Sequence, residues 1–185
     1  MGDFKMTNEA LVIVDMSNDF VHDNGNLTAG KPAQEIVPYI MQTAEEFLTN
    51  GGTVVIAMDS HDENDPHFDL WPIHNVVGSW GHELYGDLKT WFKKNESHSN
   101  LLMIPKADYN AFFDTGLSEK LKERMIDKVH VVGVATDICV FLTTAGANSN
   151  KFKTVIHKRG VATFTKLGDV FINQAKALFH TEIIE

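Results

Sequence analysis

The segment Val131-Val132-Gly133-Val134-Ala135-Thr136-Asp137-Ile138-Cys139 joins an uninterrupted apolar run to the only cysteine of the chain. Residues 129–134 are rich in valine and show no polar alternation, the pattern of a strand buried on both faces. The Thr136-Asp137 pair that follows is a helix N-cap signal and predicts a helix over residues 138–148. A thiol in the first turn of such a helix feels the positive end of the helix dipole and lies near unpaired backbone N–H groups. Both favour the thiolate, the nucleophilic form. The competing reading is a buried structural thiol, the ordinary state of a lone cysteine. The remainder of the chain decides between them.

On either side of that segment, short β-branched runs alternate with amphipathic ones. This is the order of an α/β protein with a mainly parallel sheet. Strands are predicted at residues 10–14, 53–58, 101–105, 129–134 and 154–157. Helices are predicted at about residues 33–49, 117–125, 138–148 and 166–179, the first with Ile36, Ile40, Ala44 and Phe47 at helical spacing and Asn50-Gly51-Gly52 at its end. Residues 60–100 break the pattern: only 84–92 reads as helical, and the rest is rich in His, Asp, Asn, Trp and Gly. A long irregular stretch inside a compact domain is either disordered or functional, and this many aromatic residues argue against disorder. The stretch reads as a site wall.

Ligands of open parallel sheets bind outside the carboxyl ends of the strands. The residues that close the first four predicted strands, or lie just beyond them, are Asp15, Asp59, Lys106 and Cys139. Polar residues gather at such ends in any α/β protein, but that alone does not select a carboxylate, a cation and a thiol together. Asp15 can accept the thiol proton and Lys106 can stabilise the anions that form, a triad suited to acyl transfer. Backbone N–H groups of Ala135 and Cys139 are the candidate oxyanion hole. A second group begins at Asp59-Ser60-His61, whose outer residues share a face of an extended segment, and continues through His67 to His74. One carboxylate with two or three imidazoles suits Zn²⁺, Fe²⁺ or Mn²⁺. Solvated loop histidines are the plain alternative.

Composition narrows the classes. A chain of 185 residues with 43% hydrophobic and 22% charged content suits one globular domain spanning 1–185. The single cysteine excludes an intrachain disulfide and agrees with a reducing cytoplasm. The net charge of −9 argues against a nucleic-acid partner. Residues 1–6 show no secretory or myristoylation signal, and no apolar run is long enough to span a bilayer, so no membrane partner is expected.

Five segments together resemble the isochorismatase-like cysteine hydrolase superfamily, in particular its nicotinamidase/pyrazinamidase branch. They are Leu11-Val12-Ile13-Val14-Asp15-Met16-Ser17-Asn18-Asp19-Phe20, Asp59-Ser60-His61, Trp71-Pro72-Ile73-His74, Lys106-Ala107-Asp108-Tyr109-Asn110-Ala111-Phe112 and Gly133-Val134-Ala135-Thr136-Asp137-Ile138-Cys139-Val140. The resemblance implies a three-layer sandwich with a six-stranded, mainly parallel sheet flanked by helices, and hydrolysis of nicotinamide to nicotinate and ammonia in NAD salvage, with pyrazinamide also accepted. It implies Asp15, Lys106 and Cys139 as the catalytic set, a cis Val134–Ala135 peptide that aims the Ala135 N–H at the oxyanion, and one divalent ion on Asp59, His61 and His74. Zinc is the expected ion, with iron or manganese as alternatives. The fourth ligand varies among relatives, so His67, Asp69 or water are the options. Phe20 and Trp71 would sandwich the pyridine ring, with Tyr109 nearby, and a homo-oligomer is the common state. Ile73 stands where a second proline is common and Asn110 where serine is common. The rival readings are a metal-independent hydrolase of another amide or carbamoyl compound and a non-catalytic binding protein.

Overall fold

Every residue of Thr53–Asp59 is buried, which explains why this strand carries no polar alternation: both of its faces are covered. In the computed structural model, which describes residues 8–185, the elements follow the chain in the order β1 (Glu9–Val14), α1 (Asn18–Val21), α2 (Lys31–Glu35), α3 (Val37–Thr49), β2 (Thr53–Asp59), a 3₁₀ turn (Pro66–Asp69), α4 (Gly86–Asn95), β3 (Leu101–Lys106), α5 (Leu117–Glu123), β4 (Lys128–Val134), a π-helical turn (Thr136–Val140), α6 (Phe141–Ser149), β5 (Lys153–Ala162), α7 (Gly168–Phe179) and β6 (Glu182–Ile184). The signal-free reading of residues 1–6 lies outside the described residues. Among the described residues, no helix is long and apolar enough to cross a membrane.

The six strands lie in the order β3-β2-β1-β4-β5-β6, and every neighbouring pair is parallel. Successive residues of a strand face opposite ways. Leu11, Ile13, Val54, Ile56 and Val132 therefore pack with α3 and α4, whereas Ala10, Val12, Val55, Ala57 and Val131 pack with α5 and α6. These are the three layers. On the β5 side, Ile172 and Ala175 of α7 pack on Ile156.

Several boundaries differ from the sequence reading. The helix expected over residues 33–49 is two helices, because Pro38 has no N–H to donate back along the first of them; α2 ends at Glu35 and α3 starts at Val37. The helix expected at residues 84–92 runs Gly86–Asn95. β5 continues past His157 through exposed Lys158 and Arg159 and pairs again at Val161 and Ala162. The sixth strand has three residues, none of them buried, too short and too mixed to show as a pattern.

The chain lays down β1, β2 and β3 toward one edge and then returns to place β4 on the other side of β1. Connections diverge at this reversal, and the crevice opens above the ends of β1 and β4. Gly133 makes the approach possible: at φ +113° it is left-handed, and any side chain there would run into the Val14 carbonyl.

A buried polar chain crosses from the sheet to α3. Tyr39 Oη lies 2.9 Å from His157 Nδ1, His157 Nε2 lies 2.8 Å from His130 Nδ1, and His130 Nε2 lies 2.9 Å from Glu9 Oε2. Burial, and next the charge of His130, push His157 from 6.5 down to about 4. A histidine held neutral in the fold takes up its proton first in the unfolded chain. Its contribution is therefore intact above pH 6.5 and is lost as the pH falls toward 4, about 3 kcal/mol across that window. Denaturant titrations at pH 7 and pH 4.5 should show a drop in midpoint that is clearly smaller in His157→Gln; an equal drop in both proteins would rule out this histidine as its source.

Candidate active site

Parallel register places Asp59, the last residue of β2, beside Lys106, the last residue of β3. Lys106 Nζ donates to Asp59 Oδ1 at 2.7 Å and lies 2.9 Å from Asp15 Oδ2. The Asp59 backbone N–H donates to Asp15 Oδ1 at 2.8 Å. Asp15 follows β1 in the left-handed region at φ +56°, a conformation that aspartate tolerates better than most residues. All three side chains are buried, so two carboxylates share one ammonium away from water. The sequence reading assigned Asp59 to a metal and Lys106 to the nucleophile. The fold joins both groups through this ion pair.

Burial pushes Asp15 up to about 6; Lys106 opposes the rise and the Asp59 charge adds to it. Asp59 goes the other way. Its burial is outweighed by Lys106 and by hydrogen bonds from His61 and His74, which hold it well below the usual carboxylate range. Burial works against the charge on Lys106, yet Asp15, Cys139 and Asp59 together raise it. Two carboxylates a few ångströms apart thus have different chemistry: Asp59 a permanent anion, Asp15 near the range of a general acid or base.

Beyond Asp59, the imidazoles of His61, His67 and His74 each present a nitrogen within 4.8 Å of the others. Asp59 Oδ2 lies 3.2 Å from His61 Nε2 and 3.3 Å from His74 Nε2. The far nitrogens are engaged elsewhere: His61 Nδ1 with Asp65 Oδ2 at 2.9 Å, and His74 Nδ1 with the Pro72 carbonyl at 2.6 Å. The His61 and His67 rings stack at 4.7 Å. Three imidazoles and a carboxylate, with two rings tethered from behind, fit a divalent cation of the borderline class. Asp69 is exposed and stands outside this group.

Cys139 lies in the first turn of a helical segment, as expected, but that turn is π-helical (Thr136–Val140) and runs directly into α6 at Phe141. The helix dipole does not make it a thiolate. Asp137 does not cap that helix; its two oxygens accept the hydroxyls of Thr163 and Thr165 at 2.5 Å each. Burial raises the Cys139 thiol well above its ordinary value; Lys106 pulls against this, and Asp15 and Asp59 reinforce it. The resting sulfur is a thiol that needs a base, and Asp15 is a neighbouring carboxylate whose proton affinity is raised toward that role. The peptide between Val134 and Ala135 is cis.

Cys139, Ala135, Asp59, His67 and His74 line a pocket whose aromatic walls are Phe20, Trp71, Tyr109 and Phe164. Trp71 Nε1–H donates to the Tyr109 hydroxyl at 2.9 Å. Asp15 and Lys106 lie beneath this surface, fully enclosed. Of residues 60–100, His67, Trp71 and His74 reach the pocket, and the segment just beyond them is tied down by Asp19, which accepts the N–H of Asn75 at 2.7 Å and that of Asn26 at 3.0 Å. Asp19, Asp65 and the lining residues Leu27, Ala29, Ile138 and Phe164 were not singled out in the sequence. Asp65-Pro66 did carry a turn signal, but a turn does not reveal what the aspartate touches.

A thiol, a buried acid–lysine pair and a cluster of histidines meet at the switch point of a parallel sheet, an arrangement chemically suited to thiol-dependent hydrolysis. The chain belongs to the isochorismatase family, whose isochorismatase domain matches residues 9–181. An isochorismatase family protein of Bacillus subtilis is 44% identical over 163 residues, covering 86% of this chain and 89% of its own. The crystal structure of a nicotinamidase/pyrazinamidase from Bacillus subtilis superposes with a TM-score of 0.93 at 38% identity, covering 96% of this chain and 100% of that one. A pyrazinamidase of Pyrococcus horikoshii, solved in complex with zinc, superposes with a TM-score of 0.85 at 26% identity over 96% of this chain and 99% of that one.

Removing the shared cation exposes the cost of the arrangement. Lys106→Ala leaves Asp15 and Asp59 buried without a counter-charge and should destabilise the fold by about 3–5 kcal/mol. A urea midpoint equal to that of the parent would show that the pair carries no such load.

Proposed function

We propose that the protein is an amidohydrolase that converts nicotinamide to nicotinate and ammonia through a thioester on Cys139. The observation that carries this reading is the pocket itself: one aromatic-walled cavity is lined by the Cys139 thiol and by the imidazoles of His67 and His74, and Asp15, a buried carboxylate raised to about 6, lies beneath it. The related nicotinamidase/pyrazinamidase structure supports the same substrate class, pyrazinamide included.

Phe20 and Trp71 hold the ring between them, with Tyr109 at the rim. Asp15 takes the proton from the Cys139 thiol, and the sulfur attacks the carboxamide carbon. The N–H groups of Ala135 and Cys139 receive the oxyanion, and the Lys106 charge lowers its energy. Asp15 then gives its proton to the departing nitrogen, which leaves as ammonia. Asp15 next accepts a proton from a water that attacks the thioester, and the sulfur regains a proton as nicotinate is released. Asp59, His61 and His74, with His67 as a further ligand, would hold one divalent ion, zinc first and iron or manganese as alternatives. When bound, such an ion supplies a Lewis-acid anchor for the pyridine nitrogen. The imidazole group favours this reading over a metal-independent hydrolase of the same family.

The whole chain, 1–185, acts as one domain with residues 60–100 as its metal- and substrate-binding wall. A cytoplasmic homo-oligomer serving NAD salvage is the setting we assign to it.

Cys139→Ala should retain the fold and bound metal yet release no ammonia from nicotinamide; turnover near the parent rate would exclude the covalent route. Stripping the metal with a chelator should raise KM for nicotinamide at least tenfold, with restoration on adding zinc. Unchanged kinetics in protein shown to be metal-free would exclude the anchoring role.

A further inference from the structure

We infer that Asp65 is a positioning residue for the cation site: one of its oxygens keeps His61 Nε2 free to ligate, and the other seats the turn that carries His67. The inference rests on the metal-binding reading above.

The two carboxylate oxygens of Asp65 do separate work. Oδ2 lies 2.9 Å from His61 Nδ1, and Oδ1 accepts the His67 N–H at 2.8 Å. The second bond caps the 3₁₀ turn Pro66–Asp69 at its first residues. Pro66 favours a chain reversal directly after the aspartate, so His67 arrives with its ring stacked on that of His61, 4.7 Å apart and 13° from parallel. The His61 ring is wholly buried and cannot turn to water for a partner.

That burial makes the choice of tautomer consequential. His61 stands between two acceptors, Asp65 at Nδ1 and Asp59 Oδ2 at 3.2 Å from Nε2. A neutral imidazole has one N–H to give and one lone pair to keep. With Asp59 as its only partner, the ring would place the hydrogen on Nε2, on the nitrogen that faces the other imidazoles. Asp65 draws it to Nδ1 through the shorter contact, and the Nε2 lone pair points at the cation site. His74 reaches the same arrangement through the Pro72 carbonyl at 2.6 Å. Only His61 depends on a side chain for it, and that side chain also governs the next ligand along the chain.

The conservative substitution separates the two tasks. Asp65→Asn still offers an oxygen to the His67 N–H, and asparagine caps as well as aspartate. Its amide group, however, donates to His61 Nδ1 and leaves the hydrogen on Nε2. Asp65→Ser keeps a capping oxygen but is too short to reach His61. Metal-free parent, D65N, D65S and H61A would be titrated with zinc against a chromophoric chelator at fixed pH, alongside thermal melts of the metal-free forms. D65N and D65S should bind zinc roughly 10- to 100-fold more weakly than the parent. The metal-free melting temperature should match the parent in D65N, which keeps partners for His61 Nδ1 and the His67 N–H, and fall in D65S, which leaves Nδ1 unpaired. A nitrogen-detected NMR spectrum of metal-free D65N should show His61 as the Nε2–H tautomer. Parent-like zinc affinity in D65N and D65S, with binding lost in H61A, would overturn this inference and leave the metal site standing. Parent-like affinity in H61A would overturn both. Should D65N fail to fold, D65S decides the question by the same comparison.

Discussion

The Lys106 ammonium, enclosed between the carboxylates of Asp15 and Asp59, is the interaction on which the site depends. Two acids this close in a dry environment would repel one another if both were ionised, and one would neutralise. A single shared cation holds them together, and their other partners tell them apart. Asp59 receives two imidazoles as well as Lys106 and stays anionic. Asp15 has Lys106 and a thiol, is more deeply buried, and rises to about 6. One ion cluster thereby provides an anion fit for a metal and a base fit for a thiol. The parallel register of β2 and β3, which sets residue 59 against residue 106, gives that cluster its geometry.

Around this centre the fold supplies rigidity in unequal measure. Asp15, Asp59 and Lys106 are carried by strand ends, where ladders of backbone hydrogen bonds fix the main chain. Cys139 and the imidazole wall are carried by irregular segments, and those are held by side chains. Asp137 ties the cysteine turn to Thr163 and Thr165, and so to the loop that brings Phe164 to the pocket. Asp65 secures His61 and His67, and Asp19 secures Asn75 just beyond His74. In both places a buried or half-buried carboxylate replaces the missing secondary structure, consistent with the rule that buried backbone polar groups need partners.

Much of the architecture was legible in the residues. The central strands β1, β2 and β4 appear as apolar runs because helices cover both faces of the sheet there, and the order of all five runs with intervening helices dictates parallel pairing. The four polar residues at their ends were legible for the same reason, since strand ends of a parallel sheet share a rim. The split at Pro38 was also written in the chain, though helical periodicity on either side masked it. β6 was not legible from its pattern, because three partly exposed residues carry too little of one. The π-helical turn at Cys139 was not legible either: Thr-Asp before an apolar segment reads as a helix cap, and only the neighbouring loop shows where Asp137 finds its partners.

The sequence by itself determined which chemical groups stand at the strand ends and that a thiol, acids, a lysine and histidines belong to one rim, because strand periodicity and burial are local properties of the chain. Only the tertiary structure decided how those groups interact. That Asp59 serves both Lys106 and the imidazoles, that Asp65 backs His61, and that the sulfur is kept as a thiol by burial all depend on distances between segments far apart in sequence. Proton affinities respond to such distances and to the exclusion of water, and neither exists until the chain has closed around them.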